Sequence, residues 1–128
     1  MGRRRCRILI VEDNLDAAES LRDLLELCDC TVEAVYTGPT GLEAARQFRP
    51  EVVLCDLGLP GMDGYQVAAA LRRDPEMAGA RLIAISGYGQ EEDQRRAHEA
   101  GFELHLIKPV DFAELQRVLG ITPRRPHS

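Results

Sequence analysis

Four places in the chain carry groups whose chemistry goes beyond ordinary turn formation: the acid pair Glu12-Asp13, the single carboxylate Asp56, the hydroxyl of Ser86 and the amine of Lys108. Each closes or directly follows a short apolar run, namely Ile8 to Val11, Val52 to Cys55, Leu82 to Ile85 and Leu104 to Ile107. Carboxylates brought together repel one another, and each has a raised pKa unless a cation neutralises the group. A hard divalent ion is the simplest remedy. Mg2+ takes one or two carboxylates, keeps several waters and leaves positions for phosphate oxygens. Lysine adds a compact positive charge with three donors, suited to a phosphoryl oxygen, and serine adds a neutral donor. Lys108 is the only lysine in a chain whose positive charge is otherwise all arginine.

The elements that must position these groups alternate in type. Cys6 to Val11 reads as a strand. Leu15, Ala18, Leu21, Leu24, Leu25 and Cys28 then recur at helical spacing, with Asn14 as N-cap and Asp16 in the first turn. Thr31 to Tyr36 is β-branched and semi-alternating, as an edge strand is. Pro39 to Phe48 returns to helical spacing and stops at Pro50. Val52 to Asp56 is a continuous apolar run ending in a carboxylate, the pattern of a strand covered on both faces. Tyr65 to Arg73 is helical and Leu82 to Ser86 a fourth strand. Glu91 to Ala100 is a polar helix stopped by Gly101, and Leu104 to Ile107 is a fifth strand leading into Lys108-Pro109. Asp111 and Glu114 have the spacing of a capping box for a last helix through Leu119. Asp63 reads as a helix cap rather than a ligand. Five strands alternating with five helices specify an α/β domain whose parallel sheet is joined by right-handed crossovers. In such a sheet every carboxyl end lies along one edge, which is where ligand chemistry sits.

Composition limits the function classes. A length of 128 residues suits one domain, and a net charge of −5 argues against a nucleic-acid surface. Cys6, Cys28, Cys30 and Cys55 show no C-x-x-C spacing and read as buried reduced thiols of a cytoplasmic protein. No run reaches transmembrane length, and the basic start Arg3 to Arg5 is followed by too short an apolar stretch for an export signal. The expected organisation is an N-terminal extension over 1–5, one domain over 6–120, and a tail or linker over 121–128.

The segments Ile8-Leu9-Ile10-Val11-Glu12-Asp13-Asn14, Asp56-Leu57-Gly58-Leu59-Pro60-Gly61-Met62-Asp63-Gly64, Ser86-Gly87-Tyr88-Gly89-Gln90 and Lys108-Pro109, in this order, resemble the receiver domain of two-component response regulators. The last two segments look most like receivers attached to hybrid histidine kinases. The resemblance runs from Arg7 to Leu119. It implies a flavodoxin-like (βα)5 doubly wound fold with strand order 2-1-3-4-5. It also implies a phosphorelay function: Asp56 takes a phosphoryl group from a phosphohistidine and the surface then switches for a protein partner. Under the same resemblance Glu12, Asp13, Asp56 and the carbonyl of Gly58 hold Mg2+. Lys108 pairs with the bound phosphoryl group, and Ser86 swings toward it. The partners implied are a histidine kinase or histidine phosphotransfer protein upstream and a protein or attached domain downstream, with no nucleic acid and no membrane. The chain is then a signalling switch that catalyses its own phosphotransfer and autodephosphorylation, not an enzyme acting on other substrates.

Two features depart from the family pattern. The position three residues before the lysine, a tyrosine or phenylalanine in many members, is His105. It is either a smaller switch aromatic, with a pH-sensitive response, or a half-exposed strand residue without a signalling role. Gly58 and Tyr88 stand where the family tunes hydrolysis of the acyl phosphate. A glycine cannot hold an attacking water and Tyr88 covers the site, so slow autodephosphorylation is expected. Competing functions fit less well. A haloacid dehalogenase-type phosphatase wants a second Asp where Gly58 stands, and a flavodoxin-like cofactor module would have Glu12-Asp13 repelling its phosphate. A degenerate receiver acting only as a protein-interaction module would have no need of all five site residues.

Overall fold

A computed structural model of the chain describes residues 6–87 and 89–123. The expected extension over 1–5 and the end of the tail, 124–128, lie outside the described residues. The elements are β1 (Arg7–Val11), α1 (Leu15–Glu26), β2 (Thr31–Val35), α2 (Gly38–Phe48), β3 (Val52–Asp56), α3 (Gly64–Arg73), β4 (Arg81–Ser86), α4 (Glu91–Ala100), β5 (Leu104–Ile107) and α5 (Phe112–Leu119). All strand pairs are parallel, as the alternation of elements requires, and the sheet order is β2-β1-β3-β4-β5, the doubly wound arrangement that the receiver resemblance implies.

The central strands read as unbroken apolar runs because both of their faces are covered. Leu9, Val11, Val53, Cys55, Leu82 and Ala84 point to one side, where they meet Ala45 of α2, Val67 and Leu71 of α3 and Ala97 of α4. Ile8, Ile10, Val52, Leu54, Ile83 and Ile85 point to the other, against Ala18 and Leu25 of α1 and Leu115 of α5. Cys55 therefore faces away from Asp56, as strand alternation requires. The edge strand β2 is only half-buried along its length. Ile121, beyond the last helix, still packs on the second core, and its amide donates to the Gln116 carbonyl.

Helix starts follow local capping chemistry. Asn14 accepts from the Ala17 amide at 3.0 Å, and Asp63 and Gln66 form a reciprocal capping box. Two features were not legible in the sequence. A second capping box, between Thr37 and Thr40, starts α2 one residue earlier than expected, and a single 3-10 turn at Pro75–Met77 follows α3. The apolar stripe of α1 is also narrower than its spacing suggested, since Leu15 and Leu24 are exposed. Leu24 precedes the buried Leu25 by about 100° around the helix, which carries it to the flank.

Candidate functional site

Each strand hands its chemistry-bearing residue to the same edge. The ladder extends one residue beyond the strand ends: the Glu12 amide donates to the Val35 carbonyl, Leu57 to Ile85 and Lys108 to Ser86, at 3.0, 2.9 and 2.8 Å. The backbone beneath the site is therefore held as part of the sheet. Helix α3 closes it from the other side. A Cβ on Gly64 would lie 2.5 Å from the Asp56 carbonyl oxygen and 2.7 Å from Leu57 Cα, so only glycine allows this helix start to pass so close.

At the edge, Lys108 Nζ lies 2.8 Å from Glu12 Oε1 and 3.0 Å from Asp56 Oδ2. Glu12 and Asp56 retain only 5% and 6% of their exposure, whereas Asp13 is exposed. One oxygen from each of Glu12, Asp13 and Asp56 lies within 4.8 Å of the others. The second Asp56 oxygen accepts from the Gly58 amide at 2.9 Å, and the second Glu12 oxygen accepts from the Asn14 amide at 3.1 Å. Burial pushes the Glu12 carboxyl above its ordinary pKa. The bonds from Lys108 and Asn14 oppose that shift, and neighbouring Asp56 adds to it. Burial pulls Lys108 down, but its bonds to Glu12 and Asp56 outweigh it, and its net shift is upward. The lysine thus stays charged as the internal counter-ion of two buried carboxylates.

Three carboxylates and one lysine leave the site short of positive charge. That donor set, all hard oxygens and partly open through Asp13, fits a divalent metal ion. Asp56 presents an acceptor oxygen to a fixed ammonium, an arrangement able to receive a phosphoryl group and balance the charge it brings.

Ser86 lies beside this cluster, its hydroxyl 2.6 Å from His105 Nε2. The register explains the contact. His105 pairs with Ala84, so its side chain stands on the face that Ala84 and Ser86 share. The other ring nitrogen, Nδ1, is buried without a hydrogen-bond partner. Burial also holds the imidazole below its ordinary pKa, against a weaker upward pull from Asp93, which favours the neutral ring. Sequence reasoning marked His105 as a position of interest but did not foresee this bond, which only a strand register reveals. Of the other expected site residues, Glu12, Asp13, Asp56, Gly58 and Lys108 are brought together, Ser86 adjoins them through its carbonyl, which accepts from the Lys108 amide, and Tyr88 lies outside the described residues.

The profile of the response regulator receiver domain matches residues 8–120. Among curated proteins, the chain is 34% identical over 113 residues to protein PilH of Pseudomonas aeruginosa, covering 88% of this chain and 93% of that one. It is 31% identical over 103 residues to the polar-differentiation response regulator DivK of Brucella anthropi, covering 80% and 84%. Among solved structures, it superposes with a TM-score of 0.82 at 29% identity on the receiver domain of a sensor histidine kinase from Pseudomonas aeruginosa, covering 91% and 95%; that crystal structure has a magnesium ion coordinated in the active-site cleft. A receiver domain of a DNA-binding response regulator from Colwellia psychrerythraea matches with a TM-score of 0.85 at 26% identity.

Proposed function

The chain belongs to the response regulator receiver domain family, and from that premise we propose that Asp56 is its phosphoacceptor, with Lys108 as the partner of the bound phosphoryl group. The observation that carries the assignment is the ion pair between Lys108 Nζ and Asp56 Oδ2, set among carboxylates that need a further cation. The carboxylate of Asp56 attacks the phosphorus of a phosphohistidine. The new P–O bond forms as the P–N bond breaks, and the imidazole of the donor departs with the electron pair. Lys108 then exchanges part of its contact with Asp56 for the incoming phosphoryl oxygens, and Ser86 leaves His105 to donate its hydroxyl to the same group.

Glu12, Asp13 and Asp56, with the carbonyl of Gly58, are the residues that would hold Mg2+. When bound, that ion neutralises the site and orients the phosphoryl oxygens. The magnesium in the cleft of the related kinase receiver supports this reading. The upstream partner is a histidine kinase or histidine phosphotransfer protein, and the output passes to a protein or attached domain in the cytoplasm. No described helix is long and apolar enough to cross a membrane.

The test is incubation with acetyl phosphate and Mg2+, followed by intact mass. A single added phosphoryl group that is lost in Asp56→Ala supports the assignment. A folded protein that gains none from a competent donor is an interaction module instead.

A further inference from the structure

We propose that Cys6 and Cys30 form a modification site at the end of the sheet opposite Asp56, where a small-molecule disulfide converts the two thiols into an intramolecular bridge. The ladder between β1 and β2 begins with Arg7 opposite Thr31, and the Thr31 amide donates to the Cys6 carbonyl at 2.8 Å. One step back along the same register, Cys6 stands opposite Cys30. Register partners in adjacent strands lie about 4.8 Å apart with side chains on one face. That spacing falls within the Cα separation of roughly 4.4–6.8 Å that a disulfide accepts. Both residues sit at strand starts, outside the regular ladder, where a small backbone adjustment can bring the sulfurs to bonding distance.

The two side chains share one core, in which Cys6 packs against the cluster that holds Cys30, and the Cys30 thiol donates to the Cys28 carbonyl at 3.8 Å. Their roles differ by exposure. Burial raises both thiols, Cys30 to about 12, but Cys6 is half-buried and reachable whereas Cys30 is only 5% exposed. Cys6 is therefore the attacking group. As its thiolate it forms a mixed disulfide with oxidised glutathione and releases one glutathione thiolate. The Cys30 thiol then gives up its proton, attacks the Cys6 sulfur and expels the second glutathione, so two protein thiols lose two electrons and the reagent gains them. Cys28 is the competitor in the same core, with its sulfur near Gln116 Nε2 at 3.8 Å. It lies two residues before Cys30 and has no register partner of its own among the thiols, so it stays reduced.

The bridge would enclose α1 and the acid pair in a loop of about two dozen residues while leaving the phosphoacceptor edge untouched. Folded protein is treated with oxidised glutathione, alkylated and analysed without reduction by intact mass and peptide mapping. The expected product has lost two hydrogens, retains no glutathione and joins the Cys6 peptide to the Cys30 peptide. Its Tm rises by roughly 5–10 °C and returns on reduction. Cys28→Ser keeps the bridge and Cys6→Ser abolishes it, with far-UV circular dichroism confirming that both variants fold. A stable glutathione adduct on Cys6 without a bridge, a bridge through Cys28, or folded protein that resists oxidation overturns the proposal.

Discussion

Replacing Lys108 with methionine keeps most of the aliphatic stem and removes only the charge, so its consequences follow from the carboxylates left behind. Glu12 and Asp56 are nearly buried, and their facing oxygens lie within 4.8 Å. At an effective dielectric of about 20, two unit charges at that distance repel by about 3.5 kcal/mol. The protein can escape by protonating Glu12, which from an ordinary carboxyl pKa costs about the same near pH 7, so this figure is a ceiling. The Lys108 side chain is 35% exposed and water screens part of its attraction, which lowers the expected loss of stability to about 2 kcal/mol. The pH dependence has a definite sign. The Glu12 pKa is already raised in the folded chain and rises further without the lysine. A folded-state pKa above the unfolded value destabilises the protein at higher pH, and the deficit disappears as pH falls toward the unfolded value. The deficit of Lys108→Met should therefore be largest near pH 7 and mostly gone by about pH 5. Urea unfolding at both pH values, with and without Mg2+, measures it. Mg2+ should stabilise the variant more than the parent, because the ion meets no internal competitor there. A deficit that ignores pH, or equal stabilisation of both proteins by Mg2+, would refute the assignment of Lys108 as counter-ion.

Gly64→Ala should cost more than about 2 kcal/mol and impair phosphorylation, since its Cβ meets the Asp56 backbone at 2.5 Å. Gly61→Ala, at φ +75 with open space around it, should cost only about 1 kcal/mol in denaturant unfolding, so equal costs would sink the packing argument. A Cβ on Gly58 would lie 3.6 Å from Asp56 Oδ1, so Gly58→Asn fits and places an amide beside the acyl phosphate. It should shorten the phosphoryl lifetime measured by intact mass, whereas an unchanged lifetime removes Gly58 from the tuning positions. His105 should titrate below 6.5 by NMR. Its folded pKa is depressed, so its contribution to stability is complete above about pH 6.5 and is lost as pH falls through the folded value. A midpoint at or above 6.5 contradicts a half-buried ring held neutral by desolvation.

What the sequence could and could not convey follows from the range of each interaction. Strands β1, β3 and β4 are legible to within one residue because burial on both faces writes itself as an unbroken apolar run. The caps Asn14, Asp63 and Asp111 are legible because their bonds span two or three residues. Thr37 was missed because its box closes on Thr40, not on the glutamate or glutamine that marks such a box in sequence. The convergence of Glu12, Asp13, Asp56 and Lys108 required only the topology, since a parallel sheet sends every strand end to one edge. Finer contacts depend on register, which no local pattern records. Shifting β5 by one residue would turn His105 away from Ser86, and shifting β2 would separate Cys30 from Cys6. The same dependence gives the His105 bond its meaning for signalling. The Ser86 hydroxyl lies 2.6 Å from the imidazole, so a swing toward a phosphoryl group on Asp56 has to lengthen a contact made by a residue on the neighbouring strand. His105→Ala should therefore leave phosphorylation of Asp56 intact and weaken discrimination between resting and phosphorylated surfaces in a partner-binding assay. Loss of phosphorylation itself would place His105 in the chemistry rather than in its readout.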